Sequence, residues 1–255
     1  MTNLTKDQEV NIAKKIAQSG HILEVELWNQ LQELKAKMRK RDEELILEHH
    51  VVYLDREYSC SKEVDLRAEF RVGDDMLRSN CKVSFLIEVY RPQPTNVVFL
   101  YNQPSTAFVD KIMGNLPIWG EFDLNNNLKG YVKNQPRFVS YEVYNVDTHG
   151  EKRDLGNAPI YERIQKLRNA ILTQRIRDGQ EADFYGTIYV PVVAVDASLY
   201  NVLEDGEKSE ITGAFIIYKY ANSSNQVTAL PFYIVSAGSL TEHLEKIVKA
   251  VTLIT

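Results

Sequence analysis

Residues Lys82 to Val89 (KVSFLIEV) form a mostly apolar, β-rich run with a glutamate near its end. A run of this kind suits a strand covered on both faces. It therefore predicts a central strand in a sheet with helices packed against it. Such an architecture needs a sizeable core. At 255 residues, 44% hydrophobic and 25% charged, the chain can bury one. Twelve Gly and eight Pro exclude a collagenous or low-complexity chain.

Along the chain the hydrophobic pattern switches between helical and extended. Val10, Ile12, Ala13, Ile16 and Ala17 recur at a period of about 3.6 residues, with Gly20 as a stop. A second helix is predicted from Ile22 to Arg41, with Leu23, Leu27, Leu31 and Leu34 as its apolar stripe. The KAKMRKRDEE run at its end reads as a solvated helix end; a nucleic-acid patch is the sharper alternative. Strands are predicted at Leu45 to Leu54, Glu63 to Val72, Lys82 to Val89 and Val97 to Tyr101. In the second of these, Val64, Leu66, Ala68 and Phe70 alternate with Glu63, Asp65, Arg67 and Glu69, giving one buried and one polar face. Gln103 to Gly156 is irregular, with one strand near Phe138 to Val146. Ala158 to Gly179 returns to helix, followed by strands at Thr187 to Val195, Phe215 to Tyr220 and Ala229 to Val235. Leu240 to Ile254 closes as an amphipathic helix. This order predicts a mixed α/β fold with one central sheet flanked by helices. It forms a single domain over residues 1–255: core motifs at 20–101, an irregular segment at 103–156 and a C-terminal αββα part at 157–255.

Several function classes fall away. A net charge of -5 does not favour a non-specific nucleic-acid coater. No apolar stretch approaches the roughly 18 residues of a membrane span, and the N-terminus lacks a secretory h-region. Two cysteines, Cys60 and Cys81, form neither a disulfide framework nor a zinc ribbon, which fits a cytoplasmic setting. There is no P-loop, GxGxxG, HExxH or GxSxG motif. His49 and His50 are neighbours on a strand, where side chains alternate in direction, so they are expected not to share a metal.

What remains is acidic. Asp65 lies within an alternating strand, and Glu88 ends an apolar run where an unpaired charge is costly. Two adjacent antiparallel strands would bring these carboxylates together, and oxygen ligands of this type suit a hard divalent ion such as Mg²⁺. Glu24, on the early helix, can add a third, with Glu26 as a local rival. Each also has an ordinary role. Asp65 suits an exposed strand face, Glu88 a strand-end pair with Arg67 or Arg91, and Glu24 a first helical turn favoured by the dipole. The helix carrying Arg163, Lys166, Arg168, Arg175 and Arg177 reads as a solvated basic face, or as a phosphate contact if it lies beside Glu88.

The segments Gly20 to Glu24 (GHILE), Ser61 to Ala68 (SKEVDLRA), Phe85 to Tyr90 (FLIEVY) and Val97 to Leu100 (VVFL) resemble the restriction-endonuclease-like PD-(D/E)XK nuclease superfamily. The later helix at Tyr161 to Ile176 and the segments Ile188 to Tyr200 and Pro231 to Ile247 extend the resemblance over most of the chain. The resemblance implies a restriction-endonuclease-like core and metal-dependent hydrolysis of phosphodiesters in DNA, with Mg²⁺ or Mn²⁺ as cofactor. It implies Asp65 as central metal ligand, Glu88 as second carboxylate, Glu24 as helix carboxylate and Val89 as donor of a backbone carbonyl to the metal. Tyr90 stands where the family has its catalytic lysine. Tyrosine, with an ordinary pKa of about 10, carries no positive charge near neutrality and cannot supply a lysine's electrostatics. Arg91 points to the other strand face, and Lys82 lies about 20 Å along the strand; Lys111 or Lys133 from the irregular segment are the remaining substitutes. The alternative is a catalytically silent nuclease-fold protein that binds or scaffolds, with a protein partner. A homo-oligomer stays open under either reading; a membrane partner does not.

Overall fold

The computed structural model describes residues 21–41, 43–55, 59–72, 81–91, 96–101, 118–120, 137–138, 140–145, 152–153, 157–178, 186–202, 206–221 and 227–252. The helix expected over Val10 to Ala17, and Lys111 and Lys133, lie outside them. Helix α1 (His21–Arg39) turns Leu23, Leu27, Leu31, Leu34 and Met38 inward, with Lys37 and Arg39 in its last turn where the helix dipole favours cations. Three strands follow, β1 (Leu45–Asp55), β2 (Cys60–Val72) and β3 (Cys81–Tyr90). Then come β4 (Asn96–Tyr101), β5 (Ile118–Gly120), β6 (Arg137–Phe138), β7 (Ser140–Asn145) and β8 (Lys152–Arg153). Helix α2 (Asn157–Asp178) leads into β9 (Gly186–Val195) and β10 (Ser198–Val202). The chain continues through β11 (Lys208–Ile211), β12 (Gly213–Ala221) and β13 (Val227–Ser236), then a short 3₁₀ turn and helix α3 (Leu240–Thr252).

The fold is mixed α/β. Its main sheet has the order β1-β2-β3-β9-β13-β12-β6, with β5 beside β9. β1, β2 and β3 run antiparallel in succession, whereas β9 runs parallel to β3 and to β13. The parallel step from β3 to β9 needs a long crossover, and α2 lies within it. All ten residues of β9 are buried, as a central strand requires. One face of the sheet packs Phe70, Phe85, Val192 and Val235 against α1 and against Leu240, Leu244 and Ile247 of α3. The opposite face packs Leu86, Tyr189, Val193 and Ile234 against Ile160, Ile164, Leu167 and Ile171 of α2. Each such buried side chain contributes about 1.5–3 kcal/mol, so helices on both faces are what hold the sheet together.

Two expectations change. The sheet is not alone: β4, read from its VVFL run as part of the core, belongs to a second sheet in the order β11-β10-β4-β7-β8. The polar face of β2 is also covered over its second half, at Arg67 and Glu69, while Glu63 stays exposed. Arg67 and Glu69 are buried and paired with each other, with Arg67 reaching Glu48 (3.1 Å) and Ser84 (3.2 Å) and Lys82 reaching Glu69 (3.6 Å). A charged strand face stays buried here because each charge finds an opposite one. Among the described residues no helix is long and apolar enough to cross a membrane.

Where β12 begins, the backbone comes close to α3. A Cβ on Gly213 would lie 2.8 Å from Tyr233 Oη and 3.1 Å from His243 Cε1. Neither can retreat, because His243 Nδ1 and Tyr233 Oη are hydrogen-bonded at 2.6 Å and His243 Nε2 and Thr212 Oγ1 at 2.9 Å, with both rings buried. Gly213→Ala is expected to cost about 1–3 kcal/mol by overpacking. Urea unfolding followed by circular dichroism measures this as a lower midpoint.

Candidate functional site

The β2–β3 ladder runs from Val72↔Cys81 to Leu66↔Ile87 and then stops. One step further would pair Asp65 with Glu88. Instead the Asp65 carboxylate accepts the Val89 backbone N–H at 2.7 Å, so a side chain satisfies the donor that the ladder leaves over. The β1–β2 ladder is interrupted at the same level, between His49↔Leu66 and Val51↔Val64. There His50, opposite Asp65, takes a left-handed φ of 54°, unusual for a residue within a strand. Both strands change face at this point. Leu45 and Leu47 pack with the α1 and α3 layer, whereas Val51 and Tyr53 pack with the α2 layer. Leu66 and Val64 divide in the same way, although alternation predicts that they share a face.

Glu88 points to the α2 side and is only 1% exposed. Lys166, from α2, donates to its Oε2 at 2.7 Å and lies 4.0 Å from Asp65 Oδ1. The other oxygen, Oε1, is buried and has no hydrogen-bond partner among the described residues. Burial, then the neighbouring Asp65 charge, push the Glu88 carboxyl up to about 7, against the pull of Lys166. Burial also raises Asp65, and the Glu24 charge adds to this, while the Val89 N–H, Lys166 and Arg163 oppose it. The three acidic residues singled out in the sequence are thus electrostatic neighbours, with Asp65 feeling Glu24 and Glu88 feeling Asp65.

The remaining site residues differ from expectation. The Val89 carbonyl accepts Arg163 Nε at 2.9 Å, so it faces a guanidinium rather than an ion. Tyr90 is buried, and its ring lies under the Arg163 guanidinium, 4.8 Å from ring centroid to Cζ. It acts as a platform and does not supply the missing cation. The cation beside the two carboxylates is Lys166, one helical turn beyond Arg163. The α2 face carrying both lies against the end of β3 and is half-buried, whereas Arg175 and Arg177 further along are exposed. Neither Arg67 nor Arg91 pairs with Glu88: Arg91 Nε meets Asp196 at 2.9 Å, and Arg67 belongs to the Glu48–Glu69 group.

Glu24 is buried in the first turn of α1, and its carboxylate is directed to histidines. Oε1 lies 2.5 Å from His49 Nε2 and 3.6 Å from His50 Nε2, and Oε2 lies 3.7 Å from His21 Nδ1. The expectation that His49 and His50 point apart fails, because the left-handed residue cancels the alternation. Their rings are 3.9 Å apart, and Trp28 stacks on His49 at 5.1 Å. Among the described residues, Glu24, His49 and His50 are the set whose ligand atoms all come within 4.8 Å of one another.

Compared with known proteins, the chain matches no family model, no curated protein and no solved structure. What the site can do therefore follows from its chemistry: two coupled carboxylates, one unsatisfied oxygen, and an ammonium reaching both.

The raised Glu88 carboxyl fixes the sign of a pH effect. Between the ordinary 4.5 and about 7 the folded state holds a proton that the unfolded chain has released. The resulting stability is complete below 4.5 and is lost as pH rises through about 7. Denaturant midpoints from pH 4.5 to 8 are expected to show this decline in the metal-free protein, and Glu88→Gln to flatten it.

Proposed function

We propose that this chain is a metal-dependent phosphodiesterase acting on DNA, built on a restriction-endonuclease-like core. The observation that carries the reading is Lys166 Nζ, 2.7 Å from Glu88 and 4.0 Å from Asp65. It provides, from α2, the cation that Tyr90 does not. The order within the main layers supports the reading: a helix, three antiparallel strands and, after β4 to β8, a helix and a strand parallel to the third, with the carboxylates on β2 and β3.

The residues present fit a divalent ion. Glu88 Oε1 is a buried acceptor without a partner among the described residues, beside a second carboxylate, and oxygen donors of this type suit Mg²⁺ or Mn²⁺. Asp65 and Glu88 would hold the ion, with the Glu24 charge adjacent. When bound, such an ion lowers the pKa of a water and neutralises charge on the phosphate. The chain's own groups do the rest. Val89 N–H fixes the Asp65 carboxylate, and Lys166, a point charge on a flexible stem, donates to the phosphate as negative charge develops. Side-chain exposures of 31% for Lys166 and 21% for Asp65 leave the pair open to a substrate. Arg163, Lys166, Arg168, Arg175 and Arg177 outnumber the two acids of α2, Glu162 and Asp178, so this helix is basic in an otherwise acidic chain. That suits a DNA backbone.

Cleavage of duplex and single-stranded DNA with Mg²⁺ or Mn²⁺ tests the proposal. Asp65→Asn and Glu88→Gln are expected to abolish cutting, and Lys166→Met to slow it by roughly 10²–10³-fold, the usual loss of one charge-stabilising donor. Metal binding with no cutting by the unaltered chain would instead leave a nuclease-fold binding or scaffolding protein. Calorimetry below pH 7 in buffers of differing ionisation enthalpy is expected to show a proton released on metal binding, because Glu88 must ionise.

A further inference from the structure

We propose that Glu24, His49 and His50 form a separate site for a borderline transition-metal ion of the Zn²⁺, Co²⁺ or Fe²⁺ class. This site is distinct from the Asp65–Glu88 pair, and it makes Glu24 a ligand of this ion. The proposal does not depend on DNA cleavage.

The ligand chemistry points this way. Imidazole nitrogens favour first-row transition ions, whereas Mg²⁺ prefers oxygen. Two imidazoles and one carboxylate have ligand atoms within 4.8 Å of one another, close enough for one ion to bridge them after small side-chain shifts. A β-strand does not ordinarily place adjacent side chains together. It does so here because His50 adopts a φ of 54°, a conformation that a residue other than glycine seldom takes within a strand. The immediate result of that conformation is that both imidazoles lie beside Glu24.

The surroundings are those of a metal site as well. His50 turns Nε2 toward Glu24 Oε1 (3.6 Å) and Nδ1 toward Glu63 Oε1 (3.5 Å). A carboxylate on the far nitrogen is how a metal-bound imidazole is usually oriented. Trp28 stacks on His49 and holds that ring in place. Glu24 is only 11% exposed at its side chain, and His50 is 44% exposed, so the group has a buried floor and an open side. His21, 62% exposed at its side chain, adds a third imidazole 3.7 Å from the other Glu24 oxygen. Three protein ligands with an open position are the arrangement of a reactive rather than a purely structural ion.

The test is Co²⁺ titration of the full chain in excess Mg²⁺, read by visible d–d absorption, with Zn²⁺ competition. One equivalent of Co²⁺ is expected to bind, and Zn²⁺ to displace it. His49→Asn/His50→Asn and Glu24→Gln are expected to abolish the band, and Glu63→Gln to weaken affinity by roughly 10–100-fold. Asp65→Asn and Glu88→Gln are expected to leave the band in place, which separates this site from the DNA-cleaving one. In the unaltered protein, addition of Zn²⁺ is expected to shift the ring NMR signals of His49 and His50, a readout that needs no variant to fold. The proposal is overturned if those signals do not move, if the unaltered chain binds no Co²⁺, or if the band survives in the histidine variant. It is equally overturned if the band disappears only with Asp65 and Glu88.

Discussion

Glu88 sits on a central strand among apolar side chains, where an ionised group is costly and has to be compensated. A single ammonium, from a helix 78 positions further along the chain, does part of that work. Lys166 reaches one oxygen of the carboxylate, and the other has no partner among the described residues. Replacing the pair by apolar residues of similar size would suit the stability of such a layer at least as well. Keeping it leaves a carboxyl pushed up to about 7 beside a second carboxylate, at the end of a central strand.

The second constraint is the interruption of the sheet at His50 and Asp65. A regular ladder would have placed Asp65 and Glu88 in an ordinary cross-strand pair and would have sent His49 and His50 to opposite faces. The interruption frees the Asp65 side chain to bind the Val89 amide and gathers the histidines on Glu24. The two carboxylates and the glutamate–histidine cluster thus share one defect in the pairing, and the charge of Glu24 links them electrostatically.

Much of this was legible from residue patterns. The apolar runs marked β3 and β9, and helical periodicity marked α1, α2 and α3 within a few residues of their ends. Asp65 and Glu88 stood out because a charge within a strand pattern needs a reason. Lys166 was legible only as one of five basic residues on a helix read as a solvated face or a phosphate contact, because one residue from the apolar stripe of an amphipathic helix a lysine looks solvated until the helix is docked. The left-handed His50 left no trace either, since glycine is the usual signal for that conformation and histidine is not. The second sheet was missed because β8, β10 and β11 have only two to five residues each, too short for any period to register.

Helix α2 is also fastened at a distance from the site. Asn169 donates to Asp55 at 3.1 Å, Asp55 is itself held by Lys62 at 2.8 Å, and Thr173 donates to the Leu54 carbonyl at 3.0 Å. These ties fall about one and two turns beyond Lys166 and bind the helix to the end of β1, so they act as an axial stop. A slide of one turn, about 5.4 Å, would lift the ammonium out of reach of both carboxylates. The height of that charge above the sheet is therefore set at an outer strand, by residues that touch neither carboxylate of the pair.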